Sequence, residues 1–284
     1  LYRPFSAEHL LRVIPETVKR IAVLDRTKEP GAMGEPLYLD IRNVYACRDN
    51  APLIIGGRYG LGSKDFTPMD VMAVYANLAS ENPKNGFTVS IVDDVTNHSL
   101  PEYSPIFDST PDGNFSCKFW GLGSDGTVGA NKSAVKIIGD HTDYNVQAYF
   151  AYDAKKSGGV TISHLRFGPN EIQGSYQIKA ANFIACHNQS YVNKYDLIGD
   201  LKEGGVFLLN TIWSPEELEH ELPAELKRRI WEKKAEFYTL DAVNIAKDLG
   251  LGGRINRVMQ AGFFALSKIF PVEEAVAYLK AEVS

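Results

Sequence analysis

The residues best placed to do chemistry lie in one stretch, Phe119-Trp120-Gly121-Leu122-Gly123-Ser124-Asp125-Gly126-Thr127-Val128-Gly129. Gly121, Gly123 and Gly126 keep the G-x-G-x-x-G spacing, with an apolar lead-in before them and a helix-like segment after, the context a nucleotide-phosphate loop requires. Glycines remove the side chains that would hold backbone N–H groups away from phosphate oxygens, and a helix N-terminus adds partial positive charge. The same trio also serves a purely structural tight turn. Asp153 stands 27 residues beyond Gly126, where an acid that binds a ribose hydroxyl is expected. Lys155-Lys156-Ser157-Gly158-Gly159 follows at once. Two cations, a hydroxyl and paired glycines suit a phosphate monoester on a ribose, as in NADP or the 3′-phosphate of CoA; the alternative is a solvated basic turn.

Other candidates are weaker. Gly252-Gly253-Arg254-Ile255-Asn256 opens a long helix, and Arg254 and Asn256 there either donate to a polar ligand or belong to a plain C-cap and a new helix start. The six histidines fall in neither H-x-x-x-H nor H-E-x-x-H spacing, which speaks against a histidine metal site. His141, between Asp140 and Thr142, is a candidate acid–base residue and His164, near Arg166, a candidate anion ligand; the alternative for each is a satisfied structural polar group. Gly60-Leu61-Gly62-Ser63-Lys64 lacks the spacing of a P-loop and reads as a turn leading to a cap at Thr67. Cys47, Cys117 and Cys186 lie about seventy residues apart with no C-x-x-C, so neither a zinc site nor a cysteine-ligated iron–sulfur cluster is assembled from them. A thiamin diphosphate signature, Gly-Asp-Gly followed by paired asparagines, is absent.

The chain that must position these residues has 284 of them, 44% hydrophobic and 23% charged, enough for two ordinary domains. Its net charge is -5 with both signs interleaved, leaving no basic stripe for nucleic acid or for anionic lipid. No apolar run approaches a membrane span and no signal peptide opens the chain. The sparse, odd cysteine count fits a reducing compartment, so a cytoplasmic protein is expected. Leu1-Tyr2-Arg3-Pro4-Phe5 reads as the tail of a strand with no initiator Met, and an excised fragment is expected.

Taken in order, the pattern predicts a short helix from Ala7 to Val13 capped by Ser6, a buried strand at Ile21 to Asp25, a helix from Pro36 to about Cys47, a strand at Leu53 to Ile55, a helix from Pro68 to Leu78, and a strand from Phe87 to Val92. Alternating strands and helices imply an α/β fold with a mostly parallel sheet. Prolines at 101, 105 and 111 among small polar residues mark a linker, with a domain boundary near residue 108. Beyond it come strands at Cys117 to Trp120, Val146 to Tyr152, Val160 to Phe167, Tyr176 to Ala181, Phe183 to Cys186 and Val206 to Asn210, with the helix after the glycine loop spanning Val128 to Gly139. The last third reads as helical: Pro215 to His220, Glu225 to Phe237, Ala242 to Leu249, Ile255 to Phe270 and Val272 to Glu282.

Several of these segments, taken together, resemble pyruvate:ferredoxin (flavodoxin) oxidoreductases. They are the opening five residues, Ile21 to Gly31, Gly60 to Pro68, Gly121 to Lys132, Ser157-Gly158-Gly159 with Ser163 to Phe167, and Gly250 to Asn256. The similarity runs in order from end to end. It implies the middle of a large homodimeric enzyme that converts pyruvate and CoA to acetyl-CoA and CO2, passing electrons through iron–sulfur clusters to ferredoxin or flavodoxin. Residues 1–107 resemble a transketolase C-terminal-like parallel sheet, truncated at its start. Residues 108–284 resemble the Rossmann-like gamma domain, which binds CoA, with a helical C-terminal third.

By that resemblance the CoA phosphates fall at Gly123, Ser124, Asp125, Gly126 and Thr127, with Lys155 and Asn256 as further contacts. No catalytic residue and no metal ligand is implied in this stretch. Thiamin diphosphate, magnesium and the clusters belong to other parts of the full-length enzyme, so the isolated chain is expected to catalyse nothing. Its role is to hold CoA where the thiol reaches an intermediate elsewhere, a contribution of positioning. Two other readings remain: an NAD(P)-dependent oxidoreductase using the same loop, and a scaffold or dimerisation module.

Overall fold

The computed structural model describes residues 3–93, 95–104, 107–153 and 158–283. Lys155, Lys156 and Ser157 therefore lie outside the described residues. The chain divides into two compact units, residues 1–109 and 110–284.

In the first unit, helix α1 (Ala7–Val13) starts at Ser6, whose hydroxyl accepts the His9 N–H, and its last turn gives way at Ile14, ahead of Pro15. Strands β1 (Arg20–Asp25), β2 (Leu53–Arg58) and β3 (Phe87–Thr88) form a parallel sheet in the order β1-β2-β3. Helices α2 (Pro36–Tyr45) and α3 (Pro68–Ala79) connect them. The sheet is covered on both faces, because Val23 packs with Tyr38 and Ile41 of α2 while Ile55 packs with Ala73 and Val74 of α3. That explains the continuous apolar runs of β1 and β2. Thr67 starts α3 with its N–H and hydroxyl both donating to Asp70, each at 2.7 Å.

The strand expected over Phe87 to Val92 is cut to two residues. Ser90 takes φ +67 and Val92 is 87% exposed. The chain turns back so that His98 and Leu100 bond the backbone of Thr88. A β-rich composition is overridden here by a turn that the sheet edge does not need to continue.

The second unit is built on a six-stranded mixed sheet in the order β5-β6-β4-β7-β8-β9. Its strands are β4 (Phe115–Leu122), β5 (Asn145–Tyr152), β6 (Val160–Gly168), β7 (Ala181–Cys186), β8 (Leu201–Asn210) and β9 (Glu236–Leu240). Strand β4 pairs antiparallel with β6 and parallel with β7. Helix α4 (Thr127–His141) follows the glycine loop. One sheet face packs Phe119, Phe183 and Leu165 against Ile138 of α4 and Phe263 of α8 (Asn256–Ser267). The other packs Trp120, Ile184 and Phe207 against the irregular segment holding Tyr191, Leu197 and Ile198. The remaining helices are α5 (Pro215–Glu221), α6 (Ala224–Glu232), α7 (Ala242–Asp248) and α9 (Val272–Val283).

Two expectations are corrected here. Tyr176 to Ala180 is not a strand: its backbone crosses the sheet face, where the Ile178 N–H donates to His164 Nδ1. The helix expected to reach Phe237 ends at Glu232. Lys234 adopts φ +49, and Phe237 lies instead in β9, parallel to β8 and stacked on Phe207 at 5.3 Å. No helix among the described residues is long and apolar enough to cross a membrane.

Candidate functional site

Strand β4 ends at Leu122, in the middle of the sheet, and the chain then turns sharply into α4. Each glycine of the turn answers to a neighbour. A Cβ on Gly121 would fall 2.6 Å from Thr127 Oγ1, one on Gly123 would fall 3.3 Å from the Gly159 carbonyl oxygen, and one on Gly126 would fall 3.0 Å from Asn256 Nδ2. Gly126 also needs its φ of +87, a conformation costly for any side chain. Ser124 holds φ +75 beside it. The Gly123 N–H donates to Gly159 O at 2.8 Å and so joins the loop to the start of β6.

Asp125 organises the turn. Its carboxylate accepts the Leu122 N–H at 2.8 Å and the Thr127 N–H at 2.7 Å, a built-in anion at the positive end of α4. The other N–H groups of the turn, those of Ser124, Gly126, Val128 and Gly129, find no acceptor among the described residues. A cleft of about 330 Å³ opens beside them, lined by Gly123, Ser124, Gly126, Val128, Asp153 and Thr161, among others.

Below the turn the protein supplies a polar floor. Thr127 is buried and its Oγ1 lies 2.9 Å from His187 Nδ1. The Tyr191 hydroxyl donates to Gly121 O at 3.2 Å. Burial pushes His187 down to about 4, against the opposing pull of the Asp125 carboxylate, so it is neutral at ordinary pH. Burial likewise lifts the Tyr191 phenol to about 12. From the far end of the unit, Asn256 at the start of α8 donates to Gly126 O at 3.4 Å.

The structure thus brings Gly123, Ser124, Asp125, Gly126, Thr127 and Asn256 together across 130 positions of sequence. Lys155 is outside the described residues, although Asp153 and Gly159 on either side of its segment both line the cleft. Thr127 faces away from the cleft, its hydroxyl turned inward to His187 and its N–H held by the Asp125 carboxylate. His187, Tyr191 and Asn210 carry no motif or spacing by which sequence reading would find them.

The other sequence candidates sit apart from the cleft lining. His141 closes α4 with its ring stacked 3.8 Å from that of Tyr278. His164 is buried opposite Lys118 and is pushed to about 3, first by burial and then by the cations Lys118, Arg166 and Lys179. Arg166 donates to Gln147 at 2.8 Å and to the Tyr176 carbonyl at 2.6 Å. Gly60 and Gly62 hold φ +63 in a tight turn ahead of α3. Cys117 and Cys186 are buried, and burial raises both thiols, Cys186 to about 12. Among the described residues no group of three or more His, Cys, Asp or Glu is arranged to hold a metal.

Comparison with known proteins gives the lineage. The sequence profile of the family described as "Pyruvate ferredoxin/flavodoxin oxidoreductase" matches residues 116–284. The chain is 60% identical over 280 residues to the pyruvate:ferredoxin oxidoreductase of Moorella thermoacetica, covering 99% of this chain and 24% of that protein. It is 56% identical over 283 residues to the pyruvate-flavodoxin oxidoreductase of Enterobacter agglomerans, covering 100% of this chain and again 24% of the relative. Among solved structures, the gamma subunit of a keto/oxoacid ferredoxin oxidoreductase from Geobacter sulfurreducens PCA aligns with a TM-score of 0.45 at 19% identity, over 60% of this chain and 87% of that one. The chain spans about a quarter (24%) of the length of the curated relatives it matches. At this identity over its whole length, the chain belongs to the pyruvate ferredoxin/flavodoxin oxidoreductase family.

Proposed function

We propose that the second unit is the CoA-binding part of an enzyme that oxidises pyruvate to acetyl-CoA and CO2 and reduces ferredoxin or flavodoxin. The observation that carries the reading is the open turn: among the described residues the N–H groups of Ser124, Gly126, Val128 and Gly129 find no acceptor, and a cleft lies beside them. Such a group of donors at a helix N-terminus suits phosphate oxygens. The diphosphate of CoA is assigned to Gly123 through Thr127. Lys155 is assigned to the 3′-phosphate, and Asn256 fixes the turn from the opposite side.

The chain's contribution is to bind and orient, so that a thiol arriving in the right geometry replaces a bimolecular encounter. Thiamin diphosphate, magnesium and iron–sulfur clusters are assigned to other parts of the protein, as are the remaining domains this chain packs with and any ferredoxin or flavodoxin contact. On this reading the chain alone catalyses nothing, and the whole protein is a cytoplasmic homodimer.

The nicotinamide reading fits less well. A dinucleotide fold carries its ribose-binding acid on the strand next to the glycine-loop strand. Here the antiparallel β6 lies between β4 and β5, the strand that Asp153 follows. Calorimetry decides between them. CoA is expected to bind more tightly than dephospho-CoA, and equal affinities would remove the role given to Lys155. Saturable NADPH binding that CoA does not displace would replace the CoA reading altogether.

A further inference from the structure

The floor of the glycine turn is a continuous chain of buried hydrogen bonds. Thr127 Oγ1 and His187 Nδ1 are 2.9 Å apart. The His187 carbonyl accepts from Asn210 Nδ2 at 2.9 Å, and Asn210 Oδ1 accepts the Ala242 N–H, the first of α7, at 3.0 Å. Thr127, His187, Asn210 and Ala242 are all buried. From α7 the chain runs through residues 249–255 to Asn256, which returns to Gly126 O. The turn is therefore held at two adjacent residues, Gly126 and Thr127, by the two ends of one segment, 242–256.

We propose that His187 and Asn210 are positioning residues for the ligand cleft, acting through Thr127 to fix the turn and through α7 to place Asn256 against it. Gly121 serves this arrangement rather than the ligand, since any side chain there would collide with Thr127. None of these side chains needs to touch CoA. The His187 backbone N–H is spent on Trp120 O at 2.9 Å, so the residue is anchored to β4 as well as to Thr127. Hydrogen bonds buried in a low-dielectric interior are stronger than in water and stiffen what they hold. The inference rests on the CoA reading for its affinity readout but has a readout of its own.

The test uses the full-length protein and an isosteric pair. Thr127→Val removes the hydroxyl and keeps the volume; Thr127→Ser keeps the hydroxyl. Thr127→Val is expected to weaken CoA binding about tenfold, the worth of one net hydrogen bond, and Thr127→Ser to restore it to within about twofold. Asn210→Leu, remote from the cleft, is expected to weaken binding in the same direction. Independently of any ligand, amide exchange in peptides spanning Trp120 to Gly129 is expected to speed up in Thr127→Val and Asn210→Leu and not in Thr127→Ser. Wild-type exchange in Thr127→Val overturns the proposal, whatever the affinities. A thermal shift with unchanged exchange and unchanged CoA affinity also overturns it, since the role is then structural alone. If the wild-type protein takes no CoA while the exchange pattern is as expected, it is the CoA reading that fails and the positioning network that stands.

Discussion

Helix α2 of the first unit and helix α4 of the second both begin with a carboxylate in place of a ligand, and the two starts end differently. At α2, Pro36 has no N–H to satisfy, Leu37 and Tyr38 donate to the two oxygens of Asp25 at 3.0 and 3.1 Å, and Leu39 donates to the Glu35 carbonyl. Glu35 is itself buried against Arg58 at 2.5 Å. All four positions of the first turn are accounted for. At α4, Asp125 takes the Thr127 N–H and Gly126 O takes that of Ala130, and among the described residues Val128 and Gly129 find no acceptor. The anion logic of a helix N-terminus is the same in both. What separates a closed crossing from a candidate site is how many donors remain after the protein has served itself.

The sharpest way to break this contrast is to unmake the closed start. Asp25→Ala strips two N–H groups, one buried and one part-buried, of their acceptor and is expected to cost the first unit about 3 kcal/mol, with Asp25→Asn costing roughly half as much because one oxygen remains. Amide exchange in peptides covering α2 reads this directly, and an Asp25→Ala protein that protects α2 as the wild type does would remove the carboxylate from the account.

Acid should also separate the units. The second unit buries His164 and His187, depressed to about 3 and about 4, whereas His9 and His98 of the first are exposed. A histidine whose folded pKa lies below its unfolded value near 6.5 contributes stability that is present above that value and is lost as pH falls toward the folded one. Between pH 7 and pH 5 the second unit is therefore expected to lose about 2 kcal/mol from His164 alone, with His187 adding in the same direction. Trp120, Trp213 and Trp231 all lie in this unit, so urea unfolding followed by tryptophan fluorescence isolates it. A midpoint that does not move between the two pH values would show that these histidines are not buried neutral.

Local chemistry was readable in the sequence wherever it was decided by neighbours. The Ser6 cap, proline at the start of α2 and of α3, the Thr67 cap and the glycine turn between β4 and α4 all follow from residues within a few positions. The errors lie where a distant partner wins. Lys234 leaves the helix so that Phe237 can stack on Phe207, a contact between strands thirty residues apart that no helical periodicity contains. Ser90 turns the chain out of the sheet because residues 98–100 come back to bond Thr88. Within the site, the turn itself was legible, but its floor was not: His187 reaches Thr127 over 60 positions and Tyr191 reaches Gly121 over 70. The inward turn of Thr127 followed from neither its type nor its spacing.

The smallest expected effect bears on what keeps the α4 start open. Gly126 and Gly252 both hold positive φ, +87 and +61, but a Cβ on Gly252 meets nothing within 4 Å whereas one on Gly126 meets Asn256 Nδ2 at 3.0 Å. Alanine at either position pays the left-handed backbone cost of about 1 kcal/mol. Gly126→Ala must in addition push Asn256 away from Gly126 O, giving up a long hydrogen bond worth about 0.5 kcal/mol. Unfolding of the second unit, followed by tryptophan fluorescence, is thus expected to put Gly126→Ala about 0.5 kcal/mol below Gly252→Ala. Adding Asn256→Ala to both should close that gap, because the side chain that distinguishes them is gone. A gap that survives in the double variants would mean that the turn resists substitution for reasons of its own, and that Asn256 plays no part in holding the α4 start as it stands.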